Sequence, residues 1–171
     1  DPETGALTRH AYHADRSMRE SGFDVSGRFG FANLDVLDML TICLNMLLWR
    51  LEVDIAKVRA FLDATNTIEV WQTRAHERAA ALNEHLWDEQ AGMYFDYNGR
   101  AGRKTSYPFA TTFWPMWAGL ATREQAARIA GLARDVTEVL LKLGLKPLPA
   151  HLPERIPVTY HAACTMQHGL G

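Results

Sequence analysis

The chain has 171 residues, of which 47% are hydrophobic and 22% are charged, and its formal net charge is −2. These values are typical of a soluble globular domain, or of part of a larger one, with enough apolar residues for a core. A net charge so close to zero gives no electrostatic attraction to nucleic acid or to anionic lipid, so we expect neither as a partner. No apolar window reaches the roughly 18 residues that span a membrane.

The two cysteines, Cys43 and Cys164, lie far apart in different surroundings. Cys43 lies inside an apolar stretch, which favours a buried free thiol over a disulfide. No combination of Cys and His residues has the spacing of a zinc site. The first residue is Asp1 rather than Met and no signal-peptide pattern follows it, so we expect a fragment whose true N-terminus is missing.

The first half of the chain predicts a loop and then two helices. Residues 1–31 contain four glycines and show no helical period, so we predict mostly loop there. Apolar residues recur every three or four positions from Asn33 to Val58, which predicts an interior helix packed on more than one side. A second helix is predicted from about Thr67 to Gln90. Its predicted buried stripe is formed by Trp71, Ala75, Ala79, Leu82 and Leu86.

A short β-hairpin is predicted after the second helix. Gly92 is in position to end that helix in the left-handed conformation. Apolar residues then alternate over Met93–Tyr97, and the pair Asn98-Gly99 is typical of a hairpin turn. A short helix is expected near Pro115, and the helical spacing of its two tryptophans predicts that both pack in the core. Those tryptophans are Trp114 and Trp117.

The last helix and the tail have distinct patterns. Thr122 and Gln125 have the spacing of a capping box, and the helix that follows is predicted to end at Gly144. Its predicted buried face consists of Ile129, Ala133, Val136, Leu140 and Leu143. Four prolines lie between positions 147 and 157, and proline at that density disfavours helix and central strand. We therefore predict a partial catalytic domain over 1–144 and an extended or disordered tail over 145–171.

The overall alternation of long apolar helices with loops rich in glycine and aromatic residues indicates an all-α toroid or bundle. A globin-like or four-helix arrangement is the alternative. Asn45 is a polar residue on the apolar first helix, and we interpret it as a buried side chain bonded to a loop carbonyl.

The densest cluster of polar groups lies between Arg16 and Phe29. Cleavage of a glycosidic bond needs a protonated carboxylic acid, whose pKa is usually raised by apolar neighbours. Asp24 lies between Phe23 and Val25 and has that local setting. An aspartate in a glycine-rich loop also serves as a helix cap or closes an Asx turn, so this pattern by itself leaves the function open.

Four segments of the chain resemble the trehalase family, in the family's order. They are HADRSMRESGFDVSGRF from His13, CLNMLLWRLEVDIA from Cys43, WDEQAGMYFDYN from Trp87 and FATTFWPMWAGLATREQA from Phe109. The last two recur across several sugar-processing toroids, so they indicate the fold more than the substrate. The first is the discriminating segment, and it is closer to the neutral type of trehalase. The resemblance covers about residues 1–143.

The resemblance implies an (α/α)6 toroid, of which this chain would be about half, and the hydrolysis of trehalose to two glucoses with inversion. Asp24 corresponds to the general acid, and Gly22 to a backbone position that lines the glucose pocket. Arg19, Glu20 and Arg28 fall on motif positions and are candidate substrate-binding residues, with the support of the acid loop as the preferred role. The implied partner is a disaccharide substrate, with no metal or organic cofactor. The neutral-type wording and the unpaired cysteines imply a cytoplasmic location.

The match has limits. The family's base glutamate follows motifs that are not found after Leu143, and Glu154 has no matching context. Cys43 replaces a common aspartate, and Phe23 stands where Trp or His is frequent. We therefore expect the chain alone to be inactive, and we interpret 145–171 as foreign to the fold. Two other functions remain: another toroid α-glucosidase resembling the mannosyl-oligosaccharide glucosidases, and a degenerate sugar-binding or helical interaction module.

Overall fold

The computed structural model describes residues 3–23, 26–62 and 67–144. The chain divides into two compact units, Asp1–Ala133 and Arg134–Gly171. The described part of the first unit contains five α-helices: α1 (Arg9–Ser21), α2 (Ile42–Phe61), α3 (Ile68–His85), α4 (Trp114–Ala118) and α5 (Arg123–Ala130). Two 3₁₀ segments, Phe31–Asp38 and Ala110–Phe113, precede β1 and α4. The second unit contains α6 (Val136–Leu143). The fold is therefore all-α in character, as predicted.

Two small antiparallel sheets interrupt the helices. Their strands are β1 (Met39–Leu40), β2 (Trp87–Asp88), β3 (Met93–Tyr94), β4 (Tyr97–Asn98) and β5 (Arg103–Lys104). Strands β2 and β3 pair with each other, and β4 lies between β1 and β5. Because β1 comes just before α2, its pairing with β4 brings the segment between β3 and β4 to the N-terminus of α2.

Helix α1 contradicts the predicted loop over residues 1–31. The Thr8 side chain caps it by accepting from the third helical N–H at 3.1 Å, and Gly22 ends it at φ +76°. Only Ala14 and Met18 are buried, so the apolar stripe is too narrow to be seen as a period. Capping and ion pairs four residues apart stabilise this helix instead.

Helix α2 begins at Ile42 rather than at the predicted Asn33. Residues 33–38 form a 3₁₀ segment, and residues 39–40 are taken up by pairing with β4. The packing prediction was also wrong for this chain, because one side of α2 is uncovered. The residues that α2 buries are Ile42, Cys43, Met46, Glu52 and Ala56, whereas Leu44, Leu47, Leu48, Leu51 and Val58 are exposed. Cys43 is a buried free thiol, as predicted.

Helix α3 confirms the second predicted helix, and it packs along α2. The core that the two helices share with the hairpin region consists of Ile42, Met46, Leu82, Leu86, Tyr94, Ala118 and Ile129. A bidentate ion pair also joins the helices, because Arg78 donates to both carboxylate oxygens of Glu52 at 2.8 and 2.9 Å. Arg78 donates in addition to Asn45 Oδ1 at 3.2 Å, and Asn45 Nδ2 donates to the Thr41 carbonyl at 2.9 Å. Asn45 therefore bonds to a backbone carbonyl as predicted, but its side chain is only partly buried and the acceptor, Thr41, is the N-cap residue of the same helix.

The hairpin region differs from the prediction in its details. Helix α3 ends at His85, so Gly92, at φ +67°, belongs to the turn between β2 and β3 and does not cap a helix. The buried positions of the alternation are Tyr94 and Asp96, whereas the apolar side chains expected inside are only partly buried. Neighbouring aromatic and polar groups on this short, twisted segment decide which face is inside, and the period does not.

The capping box at Thr122 and Gln125 is confirmed in both of its hydrogen bonds. The helix that follows is interrupted, because α5 ends at Ala130 and α6 starts at Val136. Ile129 is buried, whereas the other members of the predicted buried face are exposed, namely Ala133, Val136, Leu140 and Leu143. Trp114 packs against the core as predicted, but Trp117 is 70% exposed. The predicted tail, 145–171, lies outside the described residues. Within the described residues, no helix combines the length and the apolar character needed to cross a bilayer.

Tyr94 is a core residue whose hydroxyl makes the stability of the fold depend on pH. The hydroxyl lies 2.9 Å from Asn83 Oδ1 and 3.2 Å from Gln125 Oε1, so its single proton has two acceptors within reach. Burial raises the pKa of Tyr94 to about 12, so the neutral phenol stabilises the fold below pH 10, and this stabilisation is lost as the pH rises from 10 to 12. We expect Tyr94→Phe to cost about 1 kcal/mol at pH 8 and to be the more stable form near pH 12. Urea unfolding at both pH values tests this, and parallel curves for the two proteins would contradict it.

The exposed leucines of α2 predict that the isolated chain self-associates. They lie at i, i+3, i+4 and i+7, so they form one continuous apolar stripe. We expect Leu47→Glu combined with Leu51→Glu to shift the chain toward monomer in sedimentation velocity. The matched control is Leu47→Met with Leu51→Met, which keeps the apolar surface and should keep the association. A monomeric unmodified chain at tens of micromolar would refute the prediction.

Candidate functional site

The predicted acid, Asp24, lies outside the described residues, but the residues that flank it are described. The backbone N–H and the hydroxyl of Ser26 both donate to the Phe23 carbonyl, at 3.0 and 2.8 Å. The Phe23 N–H in turn donates to the Ser21 hydroxyl at 3.1 Å. We call residues 23–26, which contain Asp24, the acid segment. Its two ends are bonded to each other and to the end of α1.

Arg28, four positions after Asp24 in the sequence, is buried in a bidentate ion pair with Asp96. Its Nε donates to Oδ2 at 2.6 Å and its Nη2 to Oδ1 at 2.8 Å, and the two residues are 2% and 4% exposed. Nη2 also lies 3.5 Å from the Cys43 sulfur. Burial by itself would lower the pKa of Arg28, but the hydrogen bond to Asp96 and the Asp96 charge more than offset it, and the pKa is raised. Arg28 is thus a permanent cation inside the fold.

Aromatic rings enclose this cation. The Arg28 Cζ lies 4.6 Å from the ring centroid of Phe23, 4.8 Å from that of Phe109 and 5.2 Å from that of Phe29. Phe23 and Phe109 also contact each other edge to face, with centroids 5.4 Å apart. Among the described residues, Arg28 Nη1 has no hydrogen-bond acceptor. The guanidinium instead contacts the electron-rich faces of these rings. Phe23, the residue next to Asp24, is therefore part of the wall around Arg28.

Asp96 also caps helix α2. Its Oδ1 accepts from the backbone N–H of Ile42, the first residue of the helix, at 2.9 Å. Thr41, at the N-cap position, makes no side-chain cap of its own, so Asp96 satisfies a helix N–H that would otherwise lack a partner. A carboxylate at this end is further favoured by the helix dipole. One side chain thus joins the acid segment, the interior helix and the hairpin.

The other predicted site residues lie at the surface of α1. Arg19 forms an ion pair with Asp15 at 2.9 Å, and Glu20 accepts from Arg16 at 3.4 Å, with all four side chains exposed. Gly22 occupies the left-handed position after the helix, and there is open space on the side where a Cβ would stand. The structure therefore separates the candidates into a surface group on α1 and one buried residue, Arg28. Sugar contact by any of them stays a prediction, and for Arg28 the burial favours support of the acid loop.

A cleft of about 750 Å³ runs beside the acid segment. One wall is formed by polar groups of α1 and the aromatic residues that follow it, and the opposite wall by apolar residues of the 3₁₀ segment, β1 and α2. The polar and aromatic lining consists of His13, Arg16, Ser17, Glu20, Ser21, Phe23, Phe29 and Trp114. Clefts of this size hold small molecules. A mixture of hydroxyl, charged and aromatic groups suits a sugar, which presents hydroxyls at its rim and C–H groups on its faces.

Comparison with known proteins gives one answer. A family model described as Trehalase matches residues 3–153. This chain belongs to the trehalase family. A probable trehalase of Eremothecium gossypii is 43% identical over 149 residues, which is 82% of this chain and 19% of that protein. The cytosolic neutral trehalase of Saccharomyces cerevisiae is 38% identical over 136 residues, which is 74% of this chain and 18% of that protein.

A solved neutral trehalase from Saccharomyces cerevisiae superposes with a TM-score of 0.66 at 37% identity, over 72% of this chain and 24% of that one. The fold is therefore that of a trehalase toroid, present here in part. The chain spans about a fifth of the length of the curated trehalases that it matches. The family resemblance of the four segments is confirmed.

Sequence reasoning missed Asp96, although it lies in the quoted WDEQAGMYFDYN segment of the trehalase resemblance. One signal points to it: it is a lone carboxylate between two aromatic residues, Phe95 and Tyr97. A charged residue among aromatic ones needs a partner of opposite charge. Arg28 and Asp96 are 68 positions apart in the sequence, so no local pattern identifies them as a pair.

Removal of Arg28 should be strongly destabilising. Arg28→Met leaves the Asp96 carboxylate buried without its guanidinium, and we expect a loss of about 3–5 kcal/mol in the free energy of unfolding. The double variant Arg28→Met with Asp96→Leu should recover much of this, because no unpaired charge remains. The control is Arg16→Met, which breaks the exposed ion pair with Glu20 and should change little. Equal urea midpoints for the two single variants would contradict the assignment.

Proposed function

We propose that this chain supplies the acid side of a trehalase active site, with Asp24 as the general acid in the hydrolysis of α,α-trehalose. Three observations support this: membership of the trehalase family, the resemblance of the sequence from His13 to Phe29 to the family's motif, and the cleft beside Asp24's flanking residues. The observation that carries the proposal is that the flanks of Asp24 are fastened to buried groups on both sides. A general acid must be held at one position relative to the glycosidic oxygen.

In the proposed reaction Asp24 protonates the glycosidic oxygen while a carboxylate outside the matched segments activates a water on the opposite face of the sugar. Inversion requires the two carboxyl groups to be roughly 6.5–9.5 Å apart, with the water between them. Phe23 and Val25 are the sequence neighbours of Asp24, and an apolar setting would raise its pKa and keep it protonated near neutral pH. No side chain of this chain matches the family's base, so we propose that the reaction needs the rest of the trehalase fold.

Substrate contacts are proposed for the α1 group. Glu20 borders the cleft beside its ion-pair partner Arg16 and would accept hydrogen bonds from sugar hydroxyls. The open space at Gly22 would allow a glucose ring to approach the backbone. Arg19 is proposed as a more distant support through Asp15. A cytoplasmic location is also proposed, supported by relatives named cytosolic neutral trehalases.

The central test places residues 3–144 into the corresponding segment of the Saccharomyces cerevisiae cytosolic neutral trehalase. We expect this chimera to release glucose from trehalose, and the isolated chain to show negligible release. Asp24→Asn in the chimera should lower kcat by about 10²–10⁴ fold, because the proton donor is lost. The matched control is Asp54→Asn, an exposed aspartate on α2, which should leave kcat unchanged. A fully active Asp24→Asn chimera would refute the proposal.

A further inference from the structure

We propose that Asp96 is a positioning residue for the acid: through Arg28 it fixes the two described residues that flank the acid, Phe23 and Ser26. This inference rests on the proposed function, because it assigns a role within the same site. It concerns a residue of the hairpin, more than 70 positions after Asp24 in the sequence, that makes no contact with substrate in the proposed reaction.

The side chain and backbone of Asp96 are both held rigidly. Both of its oxygens are occupied: Oδ2 by Arg28 Nε, and Oδ1 by Arg28 Nη2 and the Ile42 N–H. Three charge-assisted hydrogen bonds in a buried setting allow one orientation of the carboxylate. Its backbone is held as well, because the Thr105 N–H donates to the Asp96 carbonyl at 2.7 Å. Asp96 is therefore a fixed point relative to both α2 and the hairpin.

Contacts on both sides of the acid segment connect it to Asp96. On the C-terminal side, Arg28 is four positions from Asp24 along the backbone. On the N-terminal side, Phe23 packs on the Arg28 guanidinium and on Phe109. Ser26 bonds back to the Phe23 carbonyl and so joins the two sides. A displacement of Arg28 would therefore move both flanks of Asp24 together.

Asp96 needs both carboxylate oxygens, and so its charge, to hold the Arg28 guanidinium. An uncharged Asn at position 96 keeps one carbonyl oxygen and presents an NH₂ group in place of the other. Whichever way the amide faces, one of the two short contacts to Arg28 becomes donor against donor. The guanidinium would then shift within its aromatic enclosure. A shift of about 1 Å in a catalytic group is enough to cost a large rate factor.

The experiment separates positioning from general destabilisation by changing the leaving group. Hydrolysis of trehalose needs a proton from the acid, whereas α-glucosyl fluoride releases fluoride with little need for one. In the active chimera we expect Asp96→Asn to lower kcat for trehalose by about 10² fold, with KM changed less than threefold, and kcat for the fluoride by less than tenfold. Asp24→Asn should show the same selectivity between the two substrates.

Glu52→Gln is the matched control, because Glu52 is also a buried carboxylate in a bidentate pair with an arginine, the partly exposed Arg78, but between α2 and α3. It should reduce the thermal midpoint to a similar extent while affecting both substrates equally. Equal losses on both substrates for Asp96→Asn would overturn the inference. Where Asp96→Asn does not fold, Phe109→Leu loosens the enclosure of Arg28 without creating an unpaired charge. It should give about a tenfold loss with the same selectivity for trehalose, and equal effects would again overturn the inference.

Hydrogen exchange on the 171-residue chain itself tests the loop without any catalysis. The Ser26 amide, which bonds to Phe23, should exchange at least tenfold faster in Asp96→Asn than in the unmodified chain, and Glu52→Gln should leave it unchanged. Unchanged exchange in Asp96→Asn would overturn the inference. An inactive unmodified chimera would instead refute the proposed function, and the exchange result would still decide whether Asp96 holds the loop.

Discussion

The buried ion pair between Arg28 and Asp96 is the interaction on which the organisation of this chain depends. Two charges removed from water are stable together only when they meet at close range in good geometry, because desolvation costs several kcal/mol per ion. Here the geometry is bidentate, the remaining lone pair of the carboxylate takes a helix N–H, and aromatic rings cover the guanidinium. Such a pair is sensitive to position. It therefore specifies where the acid segment lies more sharply than apolar packing would.

The topology that makes this pair possible is the pairing of β1 with β4. Strand β1 has only two residues, but it immediately precedes α2, and β4 immediately follows Asp96. The pairing therefore places a carboxylate 54 positions after Ile42 at the start of the helix. Helix α2 has no side-chain cap from Thr41, so the capping requirement of the helix and the charge of Arg28 are met by the same group. Stability and site geometry are coupled through one side chain.

The exposed apolar face of α2 borders the cleft beside the acid segment, because Leu44 and Leu47 belong to both. A trehalase toroid closes on itself, and this chain spans about a fifth of the length of its relatives. The leucines on one face of α2 are exposed here. The proposed active site needs groups from outside the matched segments for the same reason. In the proposed enzyme this chain would position one carboxyl group, and the second would come from outside the matched segments.

Several features were determined by the sequence alone, because they depend on residues close together along the chain. The presence and start of α3, the capping box at Thr122, the buried Cys43 and the local bond of Asn45 are of this kind. The motifs that define the family are also local strings, so the trehalase assignment needed no coordinates. Helix α1 is local as well, but its capping by Thr8 was overlooked because its apolar stripe is narrow.

The tertiary structure decided what depends on distant partners. No local pattern distinguishes the face of α2 that packs from the face that is exposed, because leucines occupy both sides and only the neighbouring elements select one. The same holds for the break between α5 and α6 and for the exposure of Trp117. Above all, the partner of Arg28 was settled by a two-residue strand pairing across more than fifty positions. A charge buried among aromatic rings demands an opposite charge, but which carboxylate meets that demand is determined only by the path of the folded backbone.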